Sequence, residues 1–162
     1  MKYFIKNYLI CILFLLSFFT NILSKKVTAE ISCGELVDKI TILTIKTQRI
    51  ADQEKLKNIY TELYSLLQTY LDSIGNLPEV KNLQEQLQKI NEMLWDIEDA
   101  LRIKERNHEF DTEFIQLARN VYLTNDQRCE IKKKIDLLLG SHITEEKSYE
   151  KYVTPAGAED LV

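Results

Sequence analysis

The chain has 162 residues with only four Gly and two Pro, a length that can build one core without metals or disulfides and a composition that argues against the turn-rich layout of a β-sandwich or barrel. Its net charge of −4 hides an asymmetry: residues 1–29 hold Lys2, Lys6, Lys25 and Lys26 and no acid, so 17 basic side chains stand against 25 acidic ones beyond them, a body of about −8. Such a body argues against nucleic-acid binding, which needs a basic surface to neutralise phosphates.

Tyr8 to Leu23 is a nearly uncharged apolar stretch bracketed by lysines. Residues 1–29 therefore read as a signal peptide or a membrane anchor, with 8–23 as an N-terminal hydrophobic helix. Either reading makes the protein exported or membrane-anchored; a start placed too far upstream would instead leave the body cytoplasmic.

Residues 30–152 read as a single all-α domain, a bundle of about five helices, followed by a flexible tail at 153–162. Ser32-Cys33-Gly34-Glu35 is an N-terminal cap signature, with the Ser32 hydroxyl on a free backbone N–H and Glu35 reaching back. The first helix runs from there to about Ile50. Leu36, Ile40 and Leu43 share a face while Val37, Ile42 and Ile45 lie elsewhere, so it is apolar around much of its girth and expected to be central.

Asp52 caps a second helix whose Leu56, Ile59, Tyr60, Leu63, Leu66, Leu67, Tyr70, Leu71 and Ile74 form a broad apolar stripe ending near Gly75. Pro78 opens a third helix reaching about Arg106, with Val80, Leu83, Leu87, Ile90, Leu94, Ile97 and Leu101 as its buried stripe. Two long helices joined by so short a turn are expected to form an antiparallel hairpin, the foundation of the bundle. Asp111 caps a fourth helix, and Thr124-Asn125-Asp126-Gln127 resembles a second capping box opening a fifth that stops at Gly140.

Chemistry concentrates on polar borders of these stripes. Asn91, Trp95, Glu98 and Arg102 line one border of the third helix. Arg128 sits on the apolar side of the last helix, where a guanidinium either snorkels to water at the helix start, is presented to an anionic ligand such as phosphate or carboxylate, or joins a structural ion pair, for which Glu98 with Arg128 or Arg119 is the suitable set. Glu98 and Arg102, four apart, also suit an ordinary surface pair. The Lys132-Lys133-Lys134 run reads as a solvated helix face.

Glu105-x-x-His108 has the spacing of a di-iron helix motif but lacks the second copy such sites require, so no metal is expected. Nor is any cofactor, since Gly-rich phosphate loops and nucleophile–base sets are missing from the sequence. Cys11 lies in the leader, and both a disulfide and two free thiols fit Cys33 and Cys129.

Three groups of motifs carry a family resemblance: Ser32-x-Gly34-Glu35-Leu36-Val37-Asp38-Lys39-Ile40-Thr41-Ile42-Leu43, Asn91-Glu92-x-Leu94-Trp95-Asp96-Ile97-Glu98-Asp99, and Thr124-Asn125-Asp126-x-Arg128 with the residues around it. Over residues 32 to 152 the chain resembles an uncharacterised family of small bacterial proteins, a domain of unknown function loosely associated with surface-polysaccharide genes. The leader departs from that pattern, whose members begin near the equivalent of Ser32.

The charged positions of the motifs overlap the borders marked by periodicity. Glu35, Asp38, Lys46, Arg49, Asn91, Trp95, Glu98, Arg102, Arg119, Asn125 and Arg128 are expected to form one polar cluster between helices. Two functions suit such a cluster. One is a non-enzymatic helical module that binds an anionic or sugar-phosphate ligand or a partner protein, at a membrane through residues 8–23 if the leader is retained. The other is an enzyme or enzyme subunit of surface-carbohydrate biosynthesis, with Glu35, Asp38 or Glu98 as acid or base and Arg102, Arg119 or Arg128 holding an anionic group.

Overall fold

The computed structural model describes residues 25–150. The expected hydrophobic helix at 8–23 and the tail at 153–162 lie outside the described residues. Residues 25–30, the described part of a first compact unit, carry no helix or strand. The second unit, from Ile31, is all-helical among its described residues: α1 (Cys33–Arg49), α2 (Gln53–Ser73), α3 (Pro78–Asn107) and α4 (Thr112–Leu139). Among the described residues no helix is long and apolar enough to cross a membrane.

Local signals placed most helix ends. The side chains of Ser32, Asp52 and Asp111 accept from the backbone N–H groups of Glu35, Lys55 and Phe114 at 3.1, 3.0 and 2.9 Å, satisfying donors that a helix start leaves open. Pro78 occupies the first turn of α3, and Gly140 ends α4 at a left-handed φ of 59°. The Glu35 carboxylate does not close a capping box; it reaches Lys132 instead.

Two expectations are corrected. The fourth and fifth helices are one: α4 runs unbroken through Thr124, which is buried. Nothing in Thr124-Asn125-Asp126-Gln127 breaks a helix, and Asn125 uses its side chain on Arg128 one turn ahead rather than on a cap. A potential cap wins only where continuing the helix would cost backbone hydrogen bonds or strain.

The foundation of the bundle is also different. Helices α2 and α3 do not pack along each other; α1 packs against α2, α3 and α4, and the extensive antiparallel hairpin is α3–α4. The reason is the girth of α1, where Leu36, Val37, Ile40, Leu43 and Ile45 are all buried and demand neighbours on several sides. Lys104 braces the α3–α4 turn by gathering Asp111 and Glu113 at 2.9 and 2.6 Å. Val37, Val80, Leu87, Ile131 and Ile135 form the core shared by α1, α3 and α4.

Gly34 sets how closely α1 meets α4. A Cβ there would lie 2.4 Å from the backbone oxygen of Lys132, so only hydrogen fits. At this crossing the Gly34 N–H donates to Asp136 at 2.6 Å and the Cys33 N–H to Ser141 Oγ at 3.1 Å. The open end of α1 is thus satisfied by Asp136 in the last turn of α4 and by Ser141, which follows its Gly140 cap. Cys33 and Cys129 are both free thiols.

Candidate functional site

One turn along α1 from that crossing, Asp38 is wholly buried and held from two sides. Arg128 of α4 donates Nε to Oδ1 at 2.8 Å and a terminal nitrogen to Oδ2 at 2.5 Å, the two-pronged geometry a guanidinium makes with a carboxylate. Asn91 of α3 donates to the same Oδ1 and to Thr41 Oγ1, each at 2.9 Å, and the Thr41 hydroxyl donates to the Asp38 backbone oxygen at 2.8 Å. Three helices are therefore tied at one buried carboxylate. Its hydrogen bonds outweigh burial and raise the Arg128 pKa above the ordinary value. Among the described residues no buried side-chain polar atom lacks a partner.

Arg128 also forms the back wall of a cleft of about 390 Å³. Ile42, Ile45 and Leu94 supply apolar lining, Trp95 an aromatic one, and Asn91, Asn125, Glu98, Asp99 and Arg102 the remaining polar groups. Asn125 Oδ1 lies 3.4 Å from Arg128 Nη1, and Arg102 Nη1 donates to Glu98 Oε2 at 2.6 Å. The Arg128 side chain is 26% exposed and lines the cleft; two of its nitrogens are held by Asp38 and the third, Nη1, is turned toward Asn125.

The proposed cluster is thus divided. Asn91, Trp95, Glu98, Arg102, Asn125 and Arg128 meet at this cleft, with Asp38 behind them. Glu35 lies further toward the start of α1, 2.7 Å from Lys132, while Arg49 pairs with Asp96 at 3.0 Å on an exposed surface. Lys46 is half-buried and outside the cleft lining. Arg119 is exposed, and its nine-residue offset from Arg128 puts it two and a half turns away on the opposite face of α4. The expected Glu98–Arg128 pair does not form: Arg128 takes Asp38, and Glu98 takes Arg102.

Some participants were missed in the sequence. Asp99 follows Trp95 by four and precedes Arg102 by three, a spacing that already put it on the cleft face. Thr41, Ile42 and Ile45 had no signal beyond their apolar surroundings. Lys132 is the sharpest correction, since it is buried rather than solvated and its ammonium bridges Glu35 and Glu145 at 2.7 and 2.6 Å. Burial works against its charge, but the two carboxylates prevail and its pKa is raised. His108 leaves the helix at a left-handed φ of 57°, so Glu105 and His108 do not share a helical face.

A second space of about 550 Å³ adjoins Asn125, between α4 and the segment holding Tyr149 and Glu150. Its wall is partly irregular chain, whereas the Trp95 cleft is walled by helices, which hold side chains more firmly.

The sequence pattern of a family described as a family of unknown function (DUF6165) matches residues 27–160. Comparison with curated proteins and with solved structures gave no match.

Proposed function

The chain belongs to the DUF6165 family, a family of unknown function, and on that premise we propose that it is a helical ligand-binding module whose Trp95 cleft takes a hydroxylated ring bearing a compact anionic group, such as a sugar phosphate or a sugar acid. The observation that carries this reading is the position of Arg128, pinned by two nitrogens on buried Asp38 while its partly exposed side chain lines the cleft. A guanidinium held this way loses little freedom on gripping an anion.

The rest of the cleft supports it. The indole of Trp95 offers a flat apolar face for a ring, and Glu98, Asp99 and Asn125 offer acceptors for hydroxyls. The volume, about 390 Å³, lies within the range of small-ligand sites, roughly 300–1,000 Å³. Arg128 and Arg102 are each matched by a carboxylate while Asp99 adds a further negative charge, which favours a compact anion with hydroxyls over a long polyanion.

The enzyme alternative narrows to Glu98. Glu35 lies away from the cleft, and both Asp38 oxygens are engaged beneath Arg128.

The test is thermal shift of the chain with glucose 1-phosphate, glucuronate, sugar nucleotides and, as a control, inorganic phosphate. Ligand at a hundred times its dissociation constant stabilises by about 2.7 kcal/mol, and Trp95→Ala is expected to abolish the shift. Stabilisation by none of the sugars, or equal stabilisation of Trp95→Ala, overturns the proposal. Turnover of a bound sugar phosphate would move the protein to the enzyme reading.

A further inference from the structure

Helix α2 is the least enclosed element of the bundle. Among the described residues it packs only on α1, and of its 21 residues Ile59 alone is buried. The broad apolar stripe read from the sequence is wider than α1 can cover. Tyr60, Tyr64, Leu67 and Leu71 remain 54%, 73%, 39% and 61% exposed. They step by four, three and four residues, the spacing of a coiled-coil seam, and so form one continuous ridge along the helix. Exposed ridges of this kind mark association surfaces, and tyrosine is a favoured residue there.

The charges bordering the ridge indicate what covers it. On the side away from Ile59 stand Lys57 near one end, Asp72 near the other, and uncharged Thr61 and Gln68 between them. Lys57 makes no ion pair among the described residues, and Asp72 accepts only from Gln68 of its own helix, at 3.1 Å.

We infer that α2 is the dimerisation helix, pairing antiparallel with α2 of a second copy of this chain. The ridge is symmetric about a point between Ser65 and Leu66. A two-fold axis there sets Tyr60 against Leu71 and Tyr64 against Leu67 of the other copy. The same axis keeps Lys57 and Asp72 of the two copies on one side of the seam and brings them together at both ends, whereas a parallel pair would put these flanks on opposite sides of the seam and leave Lys57 and Asp72 unmatched. Charge thus selects both the occupant and its direction. Opposed helix dipoles favour the same arrangement.

The experiment co-expresses two differently tagged copies of the full chain and purifies through one tag in a non-ionic detergent. The second tag is expected to co-purify, with a mass of two chains by light scattering. Leu71→Glu and Tyr64→Glu are expected to yield folded single copies with the helix content of the parent, because both positions face solvent in the monomer, and to melt at a temperature that no longer depends on protein concentration. Lys57→Asp and Asp72→Lys are each expected to weaken the dimer about three- to tenfold, and the double exchange to restore it to within about twofold. A single-copy wild type, a dimer indifferent to Leu71→Glu, or a double exchange no stronger than either single change would overturn the inference.

Discussion

Arg128 and Asp38, ninety positions apart, meet through two parallel hydrogen bonds of 2.8 and 2.5 Å that join the last helix to the first. The carboxylate is fully buried, and Asn91 of a third helix shares it. Removing the cation alone leaves an uncompensated buried charge. Arg128→Met is therefore expected to lower unfolding free energy by about 3–5 kcal/mol, read from urea denaturation. A loss under 1 kcal/mol would mean that the pair does not tie the helices.

Gly34→Ala should destabilise, although alanine is the better helix former. A Cβ at this position meets the Lys132 backbone oxygen at 2.4 Å, so α1 and α4 must separate. Overpacking of this kind costs about 1–3 kcal/mol, and the forced separation also stretches the bond from the Gly34 N–H to Asp136. Thermal melting of Gly34→Ala would show the sign directly; an unchanged or higher melting temperature would contradict the close crossing.

Arg102→Ala separates binding from stability. Its pair with Glu98 is an exposed contact four residues along one helix, worth some 0.3–0.5 kcal/mol. The variant is expected to melt close to the parent while losing affinity for the anionic sugar found in the thermal-shift screen, by about tenfold for a lost charge-assisted hydrogen bond. Titration followed by the fluorescence of Trp95, the only tryptophan of the chain, measures both properties on one sample.

The segment after Gly140 should loosen in acid. Hydrogen bonding to Lys132 holds the Glu145 carboxyl below its ordinary 4.5, so the folded state binds this proton less readily than the unfolded chain. The contribution of the pair is then fully present above about pH 4.5 and disappears as pH falls through the lowered value. Glu145→Gln should mimic that loss at neutral pH. Trypsin is expected to cleave after Lys147, which sits 2.7 Å from Cys129 in the folded chain, faster in the variant than in the parent; equal rates would show that Glu145 does not hold the segment.

Helix starts and stops were legible because their causes are local. The caps at Ser32, Asp52 and Asp111 act within three residues, Pro78 needs no N–H in a first turn, and Gly140 accepts the left-handed conformation that ends α4. Periodicity likewise put Asn91, Trp95, Glu98 and Arg102 on one border of α3, and they do line the same cleft. Local reasoning failed at Thr124, where a cap motif had no helix end to serve, and at the lysine run, where Lys132 turns inward between two glutamates.

What the sequence determined by itself was the all-helical content, most helix boundaries and the polar border of α3, all consequences of interactions within a few residues along the chain. The tertiary structure decided which helices are neighbours, that Asp38 rather than Glu98 neutralises Arg128, and that Glu35, Arg49 and Arg119 stand apart from the cleft. A helix pattern shows that a face must be buried and a buried charge must be matched. The partner that meets each demand depends on which packing satisfies all the faces at once, and α1, apolar on several sides, drew α2, α3 and α4 around itself.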